Sequence, residues 1–122
     1  MKRALLAAAA LLGLAACDML SGPVICPAIV PPSVIVTVQD SVTGANVTPG
    51  ATVELRSGTF VTSEVGLEGW GSVSVGGNRT GTFTVTVSRT GYQTWTKTGV
   101  EVEEGPCGAR TVQLTVRLKP AS

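Results

Sequence analysis

Cysteine is the most reactive side chain in this 122-residue chain, which carries three: Cys17, Cys26 and Cys107. A thiolate becomes a nucleophile or a metal ligand when a base or a second soft donor stands beside it. The chain has no histidine and no Cys-x-x-Cys spacing, so Ser-His-Asp, Cys-His and histidine-metal sites are excluded. No metal site and no cofactor is expected. Acid–base chemistry would fall to Asp40, Glu54, Glu64, Glu68, Glu101, Glu103 and Glu104. Most of these occupy outward strand positions or turns, where carboxylates are solvated surface charges, so no catalytic residue is assigned and an enzyme is not expected. The glycine-rich runs Gly66 to Gly71 and Gly76 to Gly81 join no strand to a helix and lack a phosphate-binding lysine. They read as turns.

The aromatic residues are a better lead. Trp70 lies between Gly69 and Gly71, while Trp95 shares parity with Gln93 and Lys97, nominally an outward strand face. A flat indole of this kind can stack on a sugar ring or anchor a protein contact. Trp70 and Trp95 are therefore the candidate ligand-binding residues. The competing reading is that each covers an open edge of the fold.

These side chains must be positioned by elements that begin after a leader. Met1-Lys2-Arg3 is a basic start, and residues 4–16 form an apolar run broken only by Gly13. This is the layout of a secretory signal peptide. A spanning helix needs about 20 apolar residues, and Asp18 ends the run too early. Thirteen of the first sixteen residues are hydrophobic; without them the apolar fraction falls to about 38%, ordinary for a globular domain. Removing Lys2 and Arg3 leaves seven cations against eight anions, a net charge of −1. That balance excludes an electrostatic nucleic-acid binder.

Leu14-Ala15-Ala16-Cys17 resembles the lipobox of bacterial lipoproteins. The resemblance implies cleavage before Cys17, a diacylglycerol on its thiol and a further acyl chain, such as palmitate, on the new amino group. Two or three chains make a stable anchor, at ~0.8 kcal/mol per buried CH₂. Membrane attachment through Cys17 and export into the bacterial cell envelope follow as expectations. Asp18 is similar to the signal that keeps some enterobacterial lipoproteins in the inner membrane, and inner versus outer membrane stays open. Cys26 and Cys107 then remain as an even pair in an oxidising compartment, where a disulfide is expected. Closing a loop of about 81 residues is worth ~4.5 kcal/mol in the chain-entropy model. Asn46-Val47-Thr48 and Asn78-Arg79-Thr80 match glycosylation sequons, which in a bacterium are usually silent.

Residues 17–32, with Pro23, Pro27, Pro31 and Pro32, read as a lipidated tether. From Ser33 the pattern becomes strict alternation. Val34, Val36 and Val38 alternate with Ile35, Thr37 and Gln39. The same period runs through Val53 and Leu55, Phe83 to Val87, Val100 and Val102, and Val112 to Leu118. Weaker strands fit residues 59–65 and 71–75. One wet and one dry face imply antiparallel sheets. Seven short strands at about ten-residue spacing predict an all-β, antiparallel β-sandwich over residues 33–119.

Two segments carry a family resemblance. Residues 36–44, VTVQDSVTG, followed by Pro49-Gly50-Ala51-Thr52-Val53-Glu54-Leu55, resemble the opening of carboxypeptidase regulatory-like domains. Residues 81–92, GTFTVTVSRTGY, are similar to that family's later strand and its Gly-Tyr turn. The resemblance implies a transthyretin-like (prealbumin-like), Ig-like sandwich. It also implies a non-catalytic accessory role as a structural or protein-interaction module, with carbohydrate binding as the alternative. An envelope protein or a glycan is the partner expected.

If every connection reverses direction, strands one and seven run the same way, and Cys26 and Cys107 precede their starts at one end. The residues from Asp18 to Ile25 span no more than ~30 Å, so the domain should sit close to the bilayer. The 40–50 loop, the 66–70 loop and the 89–91 turn should then gather at the far end, where a binding surface is expected.

Overall fold

The computed structural model describes residues 25–122. The leader, Cys17 and Asp18 lie outside the described residues. Every regular element within them is a strand: β1 (Val34–Asp40), β2 (Thr52–Ser57), β3 (Phe60–Val65), β4 (Val73–Val75), β5 (Gly81–Ser88), β6 (Trp95–Val102), β7 (Glu104–Gly105), β8 (Gly108–Ala109) and β9 (Val112–Leu118). Valine and threonine dominate them, as expected where a β-branched side chain packs on a pleated surface.

The alternation seen in the sequence is realised in β1, where Val34, Val36, Val38 and Asp40 point into the interior. Two sheets share that interior. One has the order β4-β1-β9 and the other β3-β2-β5-β6. Their facing sides form one cluster that includes Val36, Val53, Leu55, Val85 and Val116, all with no exposed surface. Among the described residues, eleven of the sixteen buried hydrophobic residues are valine. Burying a side chain of this size contributes about 1.5–3 kcal/mol, so the core rests on many modest contributions.

The strand pattern departs from expectation in two respects. Among the described residues there are nine strands and not seven, because the residues flanking Pro106 and Cys107 pair into a two-residue ladder, β7 with β8. The sheets are also not wholly antiparallel. β1 pairs with β4 antiparallel but with β9 parallel, from Val34 opposite Val112 to Asp40 opposite Leu118. A parallel neighbour must arrive by a crossover; here the second sheet and the β7–β8 hairpin supply it.

That parallel pair brings the starts of β1 and β9 to one end. Cys26 and Cys107 form a disulfide there, with Cα atoms 5.1 Å apart and a sequence separation of 81. Beside it, the Asn78 Oδ1 accepts the Ala109 N–H at 2.7 Å, and Thr111 Oγ1 donates to the Pro32 carbonyl at 2.6 Å. The segment after Cys26 is thus bound to the domain. The opposite end collects the 40–51 loop, the 66–72 loop, the 89–94 turn and residues 119–121.

Candidate functional site

The loop end is built on Asp40, the last residue of β1. Its Oδ1 accepts the backbone N–H groups of Val42 (2.7 Å) and Thr43 (2.9 Å), closing the turn through Gly44, whose N–H bonds back to the Asp40 carbonyl. Its Oδ2 accepts the Tyr92 hydroxyl at 2.7 Å. The Thr43 amide above all, then the Tyr92 hydroxyl and the Val42 amide, holds the Asp40 carboxyl below the usual carboxylate range. The same carboxylate bond pushes the Tyr92 phenol up. Arg89 lies over the Tyr92 ring at 5.5 Å and its Nε donates to the Pro49 carbonyl at 3.0 Å. Tyr92 also forms a bridge with Pro120, which fastens the C-terminal residues to the same turn.

Thr48 is fully buried beneath this surface. Its hydroxyl accepts the Val38 N–H at 3.0 Å and donates to the Gly71 carbonyl at 3.2 Å. Asn46 adds a bond from its side-chain amide to Gly71 and accepts the Thr48 N–H. Both residues are committed to the backbone. Gly66 packs against Thr48 so closely that a Cβ there would collide with the Thr48 carbonyl oxygen. The absent side chain is what lets the 66–72 loop close over β1.

That loop presents Trp70, 45% exposed. Its indole borders a groove of about 620 Å³ lined by Glu64, Gly69, Gly71, Ser72 and Ser74. Past Glu64 and Ser74 the groove continues between β3 and β4 to Phe60, Thr62 and Arg79. The Arg79 guanidinium sits 3.7 Å over the Phe60 ring, a cation–π contact. An aromatic platform, a carboxylate and a row of hydroxyls therefore follow one open edge of the sandwich.

Trp95 lies on the other open edge. It is half-buried and packs against the core, beside a cleft of about 250 Å³ that Gln93, Arg117 and Lys119 also line. The nominally outward position expected from its parity is corrected by a bulge. Phe83 pairs with Val100 but Val85 with Lys97, so three positions on β6 answer two on β5. Gly99, with φ of +68°, takes up the extra residue. The slip reverses the alternation, and Trp95 ends opposite Val87 on the core side. The two tryptophans do not form one site.

The remaining candidates are dispersed. Glu64, Glu68, Glu101, Glu103 and Glu104 are exposed, and Glu54 pairs with Arg56 at 3.3 Å on the surface. Among the described residues no group of three or more carboxylate, thiol or imidazole side chains could hold a metal ion. Sequence reasoning missed Thr48 and the Arg79–Phe60 pair. The signal for Thr48 was a polar β-branched residue directly before Pro49-Gly50; nothing local paired Arg79 with Phe60. The chain matches no protein-family model and no curated protein sequence.

Proposed function

We propose that this is a lipid-anchored protein of the bacterial cell envelope, whose β-sandwich is a non-catalytic structural or protein-interaction module. The observation that carries the reading is the Cys26–Cys107 disulfide, nine positions beyond Cys17. A disulfide in a small domain fits an oxidising compartment, and Leu14-Ala15-Ala16-Cys17 provides the lipobox-like route to it. The lack of histidine and the dispersed carboxylates support a role without catalysis. A carboxypeptidase regulatory-like, transthyretin-like sandwich is the finer fold assignment we favour. The Asp40 turn and the Gly91-Tyr92 corner, joined by the Tyr92–Asp40 bond, support it.

Growth of a bacterial host on radiolabelled palmitate tests the anchor. Label should enter the protein and be lost with Cys17→Ala, and release of an unlabelled protein in soluble form would overturn the reading. Crosslinking in intact cells should then recover an envelope protein.

The groove at Trp70 favours glycan binding as a second reading, since stacking platforms flanked by hydroxyl and carboxylate groups suit sugars. Quenching of tryptophan emission by envelope oligosaccharides, abolished by Trp70→Ala and retained by Trp95→Phe, is the outcome expected of it.

A further inference from the structure

The disulfide end carries an unusual surface for an exported domain. Ile25 is 89% exposed and Ile29 81% exposed, although both belong to a segment bound to the domain at Cys26. Pro27, Ile29 and Pro31 form one wall of a shallow pocket whose other wall is Pro106, Cys107 and Gly108. The tip of the β7–β8 hairpin, Gly105-Pro106-Cys107-Gly108, has no charged residue. Glu103 and Glu104 stand one step back along the hairpin, and Arg110 lies at the pocket's rim.

A patch like this needs an occupant, and chain length supplies one. Only residues 18–25 separate Cys17 from Cys26, a reach of roughly 30 Å at full extension. The loop end lies farther off by the length of β1, seven residues or about 20 Å. Among the exposed apolar surfaces of the described residues, the Ile25–Pro31 patch is therefore the one the anchor holds nearest to lipid.

We infer that the disulfide end is a membrane-contacting face, on which Ile25, Pro27, Ile29 and Pro106 enter the interfacial layer of the bilayer that holds Cys17. The inference rests on the lipid-anchor reading above. The acyl chains hold the protein to the membrane; the patch sets its orientation. The uncharged tip enters, while Glu103, Glu104 and Arg110 remain at the level of the head groups. The domain then stands with its strands off the membrane plane, and Trp70 and the loop end face away from lipid.

The test uses the full-length lipidated protein in vesicles of phosphatidylethanolamine and phosphatidylglycerol, with and without bromine on the acyl chains. Both native tryptophans lie toward the loop end, Trp70 in its loop and Trp95 opposite Val87, so their emission should be nearly insensitive to bromine. In Ile29→Trp the added emission should be blue-shifted and reduced roughly two-fold or more, as suits a side chain some 5–10 Å into the head-group boundary. Val42→Trp, at the loop end, should behave like the parent. Failure of the protein to float with vesicles would remove the anchor reading and this inference together. Flotation without bromine quenching in Ile29→Trp would overturn this inference alone, as would quenching of the native tryptophans. A blue shift in Ile29→Trp without bromine dependence would assign the patch to a protein partner or a second copy.

Discussion

The two ends of the sandwich are closed by different physics. At one, a single covalent bond joins residues 81 apart in sequence, with two hydrogen bonds beside it. At the other, Asp40, Thr48, Tyr92 and Arg89 hold three loops through short polar contacts, most of them to backbone. The first closure acts chiefly on the unfolded chain, whose freedom it removes. The second acts on the folded state alone and depends on each partner. Oxidation state should therefore govern one end and pH the other.

Removing the disulfide is the largest test of that division. Cys26→Ser with Cys107→Ser should lower the unfolding free energy by up to ~4.5 kcal/mol, read by denaturant titration, with the pH dependence set by Asp40 and Tyr92 unchanged. A changed pH dependence in the disulfide-free variant would break the comparison. Thr48→Val removes the acceptor for the buried Val38 N–H, which should cost about 1–3 kcal/mol and speed exchange at that amide. The Gly71 carbonyl keeps the Asn46 amide as a donor.

Trp95→Ala should cost about 1–2 kcal/mol, below the 3–5 kcal/mol of a fully buried aromatic, because one side of the indole is wet. The pH dependence comes next. Asp40 has a lowered folded pKa, so its contribution is complete above the ordinary carboxylate range and is lost as pH falls through the lowered value. Tyr92 has a raised one, so its share is complete below the ordinary phenol value and is lost as pH rises toward the raised value. Thermal melts of Tyr92→Phe against the parent should show both sensitivities reduced. Smallest of all, Trp70→Ala should shift stability by no more than about 0.5 kcal/mol; a larger cost would make Trp70 a structural cover and weaken the glycan reading.

Much of the architecture was legible because its cause is local. Val34, Val36 and Val38 announce β1 by period alone, and the interior they enter is the one observed. The disulfide followed from counting cysteines and strand directions. Trp95 was misplaced because a bulge is a one-residue slip whose only local trace is Gly99, one glycine among fifteen. Parity gave β1 and β9 a common direction but not adjacency, which is decided by how the second sheet is traversed. The Trp70 loop was legible as a turn. Its groove was not, since Glu64, Ser74 and Arg79 meet it from β3, β4 and the loop after β4.

The pairing of Cys26 with Cys107 also decides how the molecule carries force. Pull between the N-terminal side of Cys26 and Pro120 passes through the two sulfurs and then along β9. Residues 27–106 lie off that load path, so tension between Cys26 and anything gripping residues 119–121 stretches one strand without extending the sheets behind it. Reduction would move the load onto β1 and its parallel ladder with β9, where the bonds lie across the direction of pull and resist in shear.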